Sequence, residues 1–458
     1  MKKKILSLAL LFVFIITAGA GCSSKVSSEQ LQPITINYWR VWDGPDDFDE
    51  IIAAYKLVQP NVTINYRKLS FDEYESALLD AWAEDRGPDI FSIQNTWMRK
   101  YQTKIAPVPE SITILRPTVK GSVKKEMVGE VQKVRGISPT DVKNMFVDTV
   151  ATDVLINTEG KEKVYGLPLS IDTLAMYYNK DLLNNAGIPE LSQYWNQSFQ
   201  QQIKQLTKQD SRGELIQSGV ALGGSKNIER APDILSALMM QNGAVMMNGD
   251  AVTFNQIPAA FRDRGYNPGI EAIRFYTDFA NPAKEVYSWN SELDNSLQYF
   301  IDGKLAIFFG YAYHLPTIRS QAPRLNFGIA KFPQIEGSSA EANTANYWVE
   351  TVSAKSKYQN EAWDFVQFMT TKPEQAKKYL AKVQKPTALR SVLSEQLTDE
   401  SLKVFASQVL TARSWYRGKD VMAAEGAIQE MIDNVVANSE EIERTVNLAV
   451  SRIQQTIR

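Results

Sequence analysis

The residues of this chain best suited to bind a ligand are tryptophans that lie next to amide or carboxyl side chains in the sequence. Trp42 and Asp43 follow the first alternating apolar segment, and Gln94, Asn95 and Trp97 follow the run GPDIFSI. A flat aromatic ring stacks on the apolar C–H face of a ligand, while amides and carboxylates form strong hydrogen bonds with its hydroxyls. Sugars have both kinds of surface. Because such rings can equally be packed in a core, these five residues are candidates for a carbohydrate site.

The single histidine and single cysteine restrict the chemistry that the chain can perform. One His and one Cys exclude a zinc site built from several such ligands. A Ser-His-Asp triad would have to use His314, which lies in GYAYHLPTI, and the sequence has no GxSxG motif. We therefore expect a structural role for His314 and no metal or other cofactor.

Residues 1–21 have the pattern of a lipoprotein signal peptide. Three lysines precede an apolar run of about a dozen residues, which is too short to span a bilayer comfortably. The segment AGAGCSS resembles a bacterial lipobox with Cys22 as the lipidated residue, although Gly19 stands where leucine is commonest. The alternative is ordinary cleavage after Ala20, which would leave a free thiol. We expect an acylated Cys22, a polar tether over 22–33 and an extracytoplasmic location at the bacterial membrane.

The composition fits a large globular chain without a nucleic-acid partner. Once the three lysines of the signal segment are set aside, 47 basic residues remain against 52 acidic ones, a net charge of about −5. This charge argues against binding to nucleic acid or to anionic lipid. A single cysteine allows no intrachain disulfide, so stability must come from the core. The 458 residues, 44% of them hydrophobic, are sufficient for two or three domains.

Alternating strand and helix patterns predict an α/β fold. A strand at 34–38, a helix at 48–58, the strand VTINYRKL, a helix at 71–84 and the strand GPDIFSI follow one another. This order predicts a mainly parallel sheet with helices on both faces. Residues 107–135 carry no clear motif, and we expect a solvated surface segment there. Trp82 and Trp363 lie on apolar helix stripes, which predicts core positions.

The segment at 165–189 combines a strand pattern, an Asn-Lys-Asp turn and a short helix that ends at Gly187, in the sequence YGLPLSIDTLAMYYNKDLLNNAGIP. It resembles the crossover segment of the family 1 extracellular solute-binding proteins, the maltodextrin-binding-protein-like receptors of ABC importers. GPDI, NYWVETVSAKSKYQNEAWDFVQFM and QKPTALRSVL resemble other elements of the family in the same order. The resemblance covers residues from about 34 to 458.

The resemblance implies a two-lobed, periplasmic-binding-protein-like fold of type II. Each lobe is expected to be a mainly parallel sheet flanked by helices, and the ligand cleft lies between the lobes. Hinge crossovers are expected near 170–174, 347–352 and 385–388. The implied lobes are discontinuous: 34–170 with 352–385, and 171–351 with 386–458.

The same resemblance assigns candidate residues to the cleft. It places the loops of Trp42 and Trp97 in the wall of the first lobe. Asp172 aligns with an acidic position that contacts sugar in the family, and its alternative role is a solvated hinge carboxylate. Tyr311 and Tyr313 stand where the family more usually has tryptophan.

Three further tryptophans complete this set of candidates. Trp348 lies on the second crossover, and Trp415 precedes the C-terminal helices. Trp289 is a weaker candidate.

The sequence thus predicts a monomeric, lipid-anchored receptor that captures a small solute, a sugar or oligosaccharide, and delivers it to the permease subunits of an ABC importer. Two alternatives remain open at this point. One is a sensory or adhesion module of the same fold, and the other is a tethered carbohydrate-active enzyme that uses two carboxylates.

Overall fold

A computed structural model describes residues 25–27, 32–120, 126–338 and 341–457. The signal peptide and Cys22 lie outside the described residues. The strands, in chain order, are β1 (Lys25–Ser27), β2 (Ile34–Val41), β3 (Val62–Leu69), β4 (Ile90–Gln94), β5 (Ser111–Lys120), β6 (Glu126–Arg135), β7 (Leu155–Thr158), β8 (Lys161–Val164), β9 (Leu167–Pro168), β10 (Asp172–Thr173), β11 (Ala175–Asn179), β12 (Lys208–Gln209), β13 (Leu215–Val220), β14 (Met247–Asn248), β15 (Ala251–Val252), β16 (Leu305–Gly310), β17 (Phe327–Lys331), β18 (Asn343–Asn346), β19 (Trp348–Val352) and β20 (Ala412–Arg413).

Helices cover these strands in the alternating order that the sequence predicts. They are α1 (Asp49–Val58), α2 (Phe71–Ala83), α3 (Met98–Tyr101), α4 (Pro139–Met145), α5 (Asp148–Val154), α6 (Lys180–Asn185), α7 (Gln197–Leu206), α8 (Ala231–Gln241), α9 (Pro268–Asp278), α10 (Ser296–Ile301), α11 (His314–Gln321), α12 (Gln359–Thr371), α13 (Pro373–Val383), α14 (Arg390–Gln396), α15 (Lys403–Ala406), α16 (Val421–Ala437) and α17 (Ile442–Gln455).

Two five-stranded sheets form the cores of two lobes, which confirms the two-lobed α/β fold. The first sheet has the order β3-β2-β4-β19-β9, and β2 runs parallel to both β3 and β4. The second has the order β12-β13-β16-β11-β17, and only β13 and β16 pair in parallel. Because β11 runs antiparallel to both of its neighbours and β12 antiparallel to β13, this sheet is mixed and not mainly parallel as expected. Trp82 and Trp363 are buried, as their apolar helix stripes predict. Parallel strands place their carboxyl ends at one edge of each sheet, where a ligand cleft forms.

A small third sheet lies in the segments that connect the lobes. Its order is β10-β18-β20, and Asp172 pairs with Asn346. The following strand, β19, pairs antiparallel with β4 inside the first sheet. The strand β19, which lies within the crossover expected at 347–352, is therefore part of the first sheet from Trp348 onward.

Residues 107–135 differ from the expected solvated segment. β5 and β6 form an antiparallel hairpin with ten residues in each strand, and the side chains of Ile112 and Ile114 in β5 are buried. Arg116 ties the hairpin to α12, because its Nη2 donates to Asp364 Oδ1 at 2.9 Å. Residues 25–27, which belong to the expected polar tether, form the strand β1, whose backbone pairs with β6.

An asparagine cap explains why α6 begins directly after β11 in the second lobe. Asn179 ends β11, and its Oδ1 accepts from Asp181 N at 3.0 Å and Leu182 N at 3.1 Å. These bonds satisfy two of the free amides at the start of α6. The Asn-Lys-Asp turn therefore opens this helix, as the sequence predicts.

Candidate ligand-binding cleft

A cavity between the two lobes joins the carboxyl end of β4 to four other segments of the chain, at 230–233, 345–346, 414–415 and 425. We call it the cleft cavity. Its volume is about 10 Å³, close to what one water molecule needs, so its walls are closed onto each other and leave no room for a sugar ring. The lining residues are Gln94, Asn95, Thr96, Arg230, Asp233, Ala345, Asn346, Ser414, Trp415 and Glu425.

Hydrogen bonds across the cleft hold this closed arrangement. Asn95 Nδ2 donates to Ser414 Oγ at 2.8 Å, and Gln94 Nε2 lies 3.5 Å from Asn346 Oδ1. At the rim, Arg99 of α3 forms an ion pair of 2.7 Å with an aspartate in the β14–β15 turn of the second lobe. Both predicted amides of the first lobe are therefore at the lobe interface.

The wall of the second lobe carries a charged network that the sequence analysis missed. Arg230 Nε donates to Asp233 Oδ2 at 2.8 Å, and Nη2 donates to Glu425 Oε1 at 2.6 Å. Arg230 precedes α8 with a φ of 55°, a left-handed conformation that is costly for a residue other than glycine. A strained charged residue in a cleft is typical of a functional position.

Two predicted aromatic residues hold the carboxylate of this network. Tyr311 Oη donates to Asp233 Oδ2 at 2.7 Å, and Trp415 Nε1 donates to Oδ1 at 3.2 Å. Tyr311 and Trp415 are both buried, so their rings have little surface open to a ligand in the closed form. Tyr313 stacks on Tyr311 with a centroid distance of 5.4 Å and is 41% exposed. Of these three rings, Tyr313 is the one available for stacking.

Asp172 shapes the loop that carries these tyrosines. Its Oδ1 accepts from Ala312 N at 3.0 Å and Thr173 N at 2.9 Å, and its Oδ2 accepts from Tyr313 N at 3.3 Å. Burial raises the pKa of Asp172 to about 6, against the effect of these amide donors. Asp172 is not a solvated hinge carboxylate, because it is buried.

The wall of the first lobe offers aromatic rings. Trp42 is 55% exposed and stacks on Phe71 at 5.3 Å, at an interplanar angle of 19°. Its φ is 65°, again left-handed. Trp97 is buried and Trp348 half-buried, and their rings meet edge to face at 5.9 Å. The structure thus brings three predicted tryptophans around Phe71 and leaves Trp42 outermost.

Asp43 belongs to a buried network inside the first lobe. Its Oδ2 accepts from Arg40 Nε at 3.0 Å and Tyr379 Oη at 2.9 Å, and its Oδ1 accepts from Lys385 Nζ at 2.8 Å. Burial alone would raise its pKa, but Arg40 and Lys385 lower the pKa to about 2. Arg40 also pairs with the fully buried Glu350. These contacts give Asp43 a structural role beside its predicted role in binding.

Two other candidates have structural surroundings. Trp289 is fully buried, and its Nε1 donates to Asn227 Oδ1 at 3.1 Å. His314 is buried, and its Nδ1 accepts from the Tyr311 amide at 2.9 Å. Burial lowers the pKa of His314 to about 4, so it is neutral at pH 7. Among the residues that the structure describes, no group of His, Cys, Asp and Glu is placed to hold a metal ion.

Residues 42–376 match the family model described as bacterial extracellular solute-binding protein. The chain belongs to this family, as the sequence resemblance indicated. Across the described ranges, no helix is both long and apolar enough to cross a membrane.

Individual proteins are similar to this chain at low identity. A Brucella abortus (strain 2308) protein named as a binding protein is 22% identical over 348 residues, 75% of this chain and 73% of that protein. The multiple sugar-binding protein of Streptococcus mutans is 22% identical over 300 residues, 61% of this chain and 66% of its own length. The solved structure of the cyclic alpha-maltosyl-1,6-maltose binding protein from Arthrobacter globiformis has a TM-score of 0.68 and 17% identity, and covers 93% of this chain and 99% of that one. At this identity the structural likeness shows the fold.

Proposed function

We propose that this protein is a carbohydrate receptor that closes its two lobes around a sugar or oligosaccharide and presents it to an ABC importer. The observation that carries the proposal is the cleft cavity, whose walls come from both lobes and combine charged and amide groups with the indole ring of Trp415. Binding energy favours closure only through contacts that both lobes make. Relatives that are named as sugar-binding proteins support the same ligand class.

Both walls supply stacking rings and hydrogen-bonding groups in this proposal. Trp42 and Tyr313, both exposed, stack on C–H faces. Arg230, Asp233 and Glu425 hydrogen-bond to hydroxyls, since charged partners form the stronger bonds. We place Gln94 and Asn95 against the ligand from the first lobe. The protein acts as a receptor and not as an enzyme.

The proposal includes the anchoring and the assembly that the sequence predicts. An acylated Cys22 holds the mature monomer at the outer face of the cytoplasmic membrane or in the periplasm, within reach of the permease. The unmodified protein should incorporate labelled fatty acid in expressing cells, and the Cys22→Ala protein should not. Equal incorporation by both proteins would contradict lipidation at Cys22.

Thermal unfolding with a panel of mono- and oligosaccharides tests the ligand class. A ligand that binds the folded state alone raises the midpoint of unfolding, by linkage. We expect a rise with at least one sugar and a smaller rise for the Arg230→Gln protein. A rise with an unrelated solute and with none of the sugars would refute carbohydrate binding and leave the fold unaffected.

A further inference from the structure

An ion pair joins the loop of Trp42 to a crossover between the lobes. Lys385 lies two residues after the end of α13, in the crossover expected at 385–388, and its Nζ donates to Asp43 Oδ1 at 2.8 Å. The side chain of Lys385 is 18% exposed and that of Asp43 8%, so the pair is largely shielded from solvent. Such a pair is screened by salt much less than a pair on the surface.

Both partners of this ion pair directly follow a residue with a left-handed backbone. Trp42, which precedes Asp43, has a φ of 65°, and Gln384, which precedes Lys385, has a φ of 52°. In the described part of the chain, five residues other than glycine have a positive φ, and two of the five stand before the two ends of one contact. This conformation is costly for a residue with a Cβ atom and persists only where the surrounding contacts enforce it. The ion pair is one of these contacts.

The other partners of Asp43 belong to the body of the first lobe. Its carbonyl accepts from Tyr66 Oη at 2.8 Å, and its Oδ2 accepts from Arg40 Nε and Tyr379 Oη. These donors lie in β3, β2 and α13 and therefore move with the first lobe. Lys385 differs from them, because it lies in a hinge crossover. A movement of this crossover reaches Asp43 through Lys385.

The crossover that contains Lys385 is hydrogen-bonded to the crossover that contains Asp172. The amide of Ile171 donates to the carbonyl of Pro386 at 3.0 Å. Pro386 directly follows Lys385, and Ile171 directly precedes Asp172. The two crossovers therefore lie side by side at the position of Lys385.

From Asp172 the contacts continue to the exposed ring of the second lobe. Its carboxylate accepts from the amides of Ala312 and Tyr313. Burial raises the pKa of Asp172, and the amide of Ala312 and the charge of Lys385 act against this rise. Lys385 thus stabilises the ionised form of the carboxylate that holds the Tyr313 loop, and it also bonds to the carboxylate next to Trp42.

We propose that Lys385 is a positioning residue that couples the loop of Trp42 in the first lobe to the loop of Tyr313 in the second, so that the two rings keep the spacing that a bound sugar requires. This inference rests on the proposed function and makes it more specific, because it names the residue that sets the spacing of the stacking rings. The hinge is the movable element through which the coupling acts. Lys385 acts through Asp43 and Asp172 and does not contact the sugar.

Hydrogen exchange of the ligand-free mature protein, measured by mass spectrometry, tests the coupling without a sugar. Lys385→Met keeps a long unbranched side chain and removes the charge. We expect exchange at least about threefold faster in the peptide that contains Trp42 and in the peptide that contains Tyr313. Lys377→Met, at an exposed lysine of α13 that pairs with Glu395, is the matched control and should change neither peptide. Faster exchange in only one of the two peptides, or in neither, would overturn the coupling.

Titration calorimetry with glucose, maltotriose, galactose and galactotriose tests the consequence for binding. Lys385→Met should weaken binding of the sugar that binds the unmodified protein about tenfold. Lys385→Arg keeps the positive charge and should keep the affinity within about threefold. In the Trp42→Ala background, Lys385→Met should cause a smaller loss, because one of the rings that it positions is already absent. Losses that simply add would overturn the positioning role.

Lys385→Gln is a further variant in case Lys385→Met does not fold, since it removes the charge and retains a hydrogen-bond donor. The same faster exchange in both peptides and the same direction of affinity change are expected. If the unmodified protein binds a sugar and the uncharged variants bind it equally well, this inference is overturned and the proposed function stands. If the unmodified protein binds none of the four sugars, the proposed function is refuted, and the role of the rings with it.

Discussion

The two walls of the cleft use buried charge for different purposes. In the first lobe, Asp43 bonds to Arg40, Tyr379 and Lys385, and none of these residues lines the cleft cavity. In the second lobe, the ion pairs of Arg230 are themselves part of the cavity wall. The comparison shows that a carboxylate after a strand does not by itself indicate a ligand contact. The partners of the carboxylate decide whether it stabilises a lobe or is available to a sugar.

Substitution of one carboxylate in each wall should separate these two roles, with the largest effect in the first lobe. Asp43→Asn leaves the buried Arg40 without one of its carboxylate partners, which should cost about 3–5 kcal/mol of the free energy of unfolding. Asp233→Asn should cost less stability and more sugar affinity. Urea unfolding and calorimetry of both variants provide the test. Equal stability losses in the two variants would contradict the distinction between the walls.

The pH dependence of stability should differ in sign between Asp43 and Asp172. The pKa of Asp43 is lowered to about 2, so its stabilising contribution is present above pH 4 and is lost as the pH falls through 2. The pKa of Asp172 is raised from 3.8 to about 6, so its contribution is present below pH 4 and is lost as the pH rises through 6.

Urea unfolding of the unmodified protein and of Asp172→Asn at pH 4 to 7 checks this sign. Two pKa units correspond to about 3 kcal/mol, which is the upper limit of the expected change. The stability advantage of the unmodified protein should be largest at pH 4 and should decrease toward pH 7. A difference that does not vary with pH would show that Asp172 does not titrate in this range.

Much of the fold could be predicted because its signals are local. The apolar stripes of α1 and α2 and the Asn-Lys-Asp turn occupy a few consecutive residues, and the helices begin within a residue of where these patterns place them. The hairpin β5–β6 was missed although Ile112 and Ile114 alternate with polar residues. Charged residues and Pro117 interrupt that alternation, and its burial depends on α12, more than 240 residues away.

The charged network around Arg230 could not be predicted because it, too, depends on contacts between residues that are far apart in the sequence. Arg230 and Asp233 look like ordinary residues at the start of a helix, and Glu425 is 195 residues from Arg230. Their meeting depends on the packing of α8 against α16, which no local pattern records. The left-handed φ of Arg230 has no sequence signal either, since no glycine or asparagine occupies the position.

A smaller effect is expected at the aromatic side of the first wall. Trp42→Ala removes an exposed stacking surface, which should lower sugar affinity by about 1–2 kcal/mol, or roughly tenfold, with little change in stability. Trp42→Phe is the control and should retain most of the affinity, because a flat ring remains. Calorimetry of both variants gives the comparison. Unchanged affinity in Trp42→Ala would remove this ring from the site.

The smallest effect is expected at the rim, where Arg99 pairs with Asp250 across the lobes. The two side chains are 39% and 69% exposed, and an exposed ion pair contributes about 0–1 kcal/mol that salt screens. Asp250→Asn should therefore weaken sugar binding by less than about fivefold, and the difference should disappear in 1 M salt. Asp263→Asn, exposed on the same lobe, is the control. A loss of affinity greater than tenfold that persists in 1 M salt would contradict this expectation. It would mean that closure of the lobes depends on the ion pair at the rim more than on the buried groups of the two cleft walls.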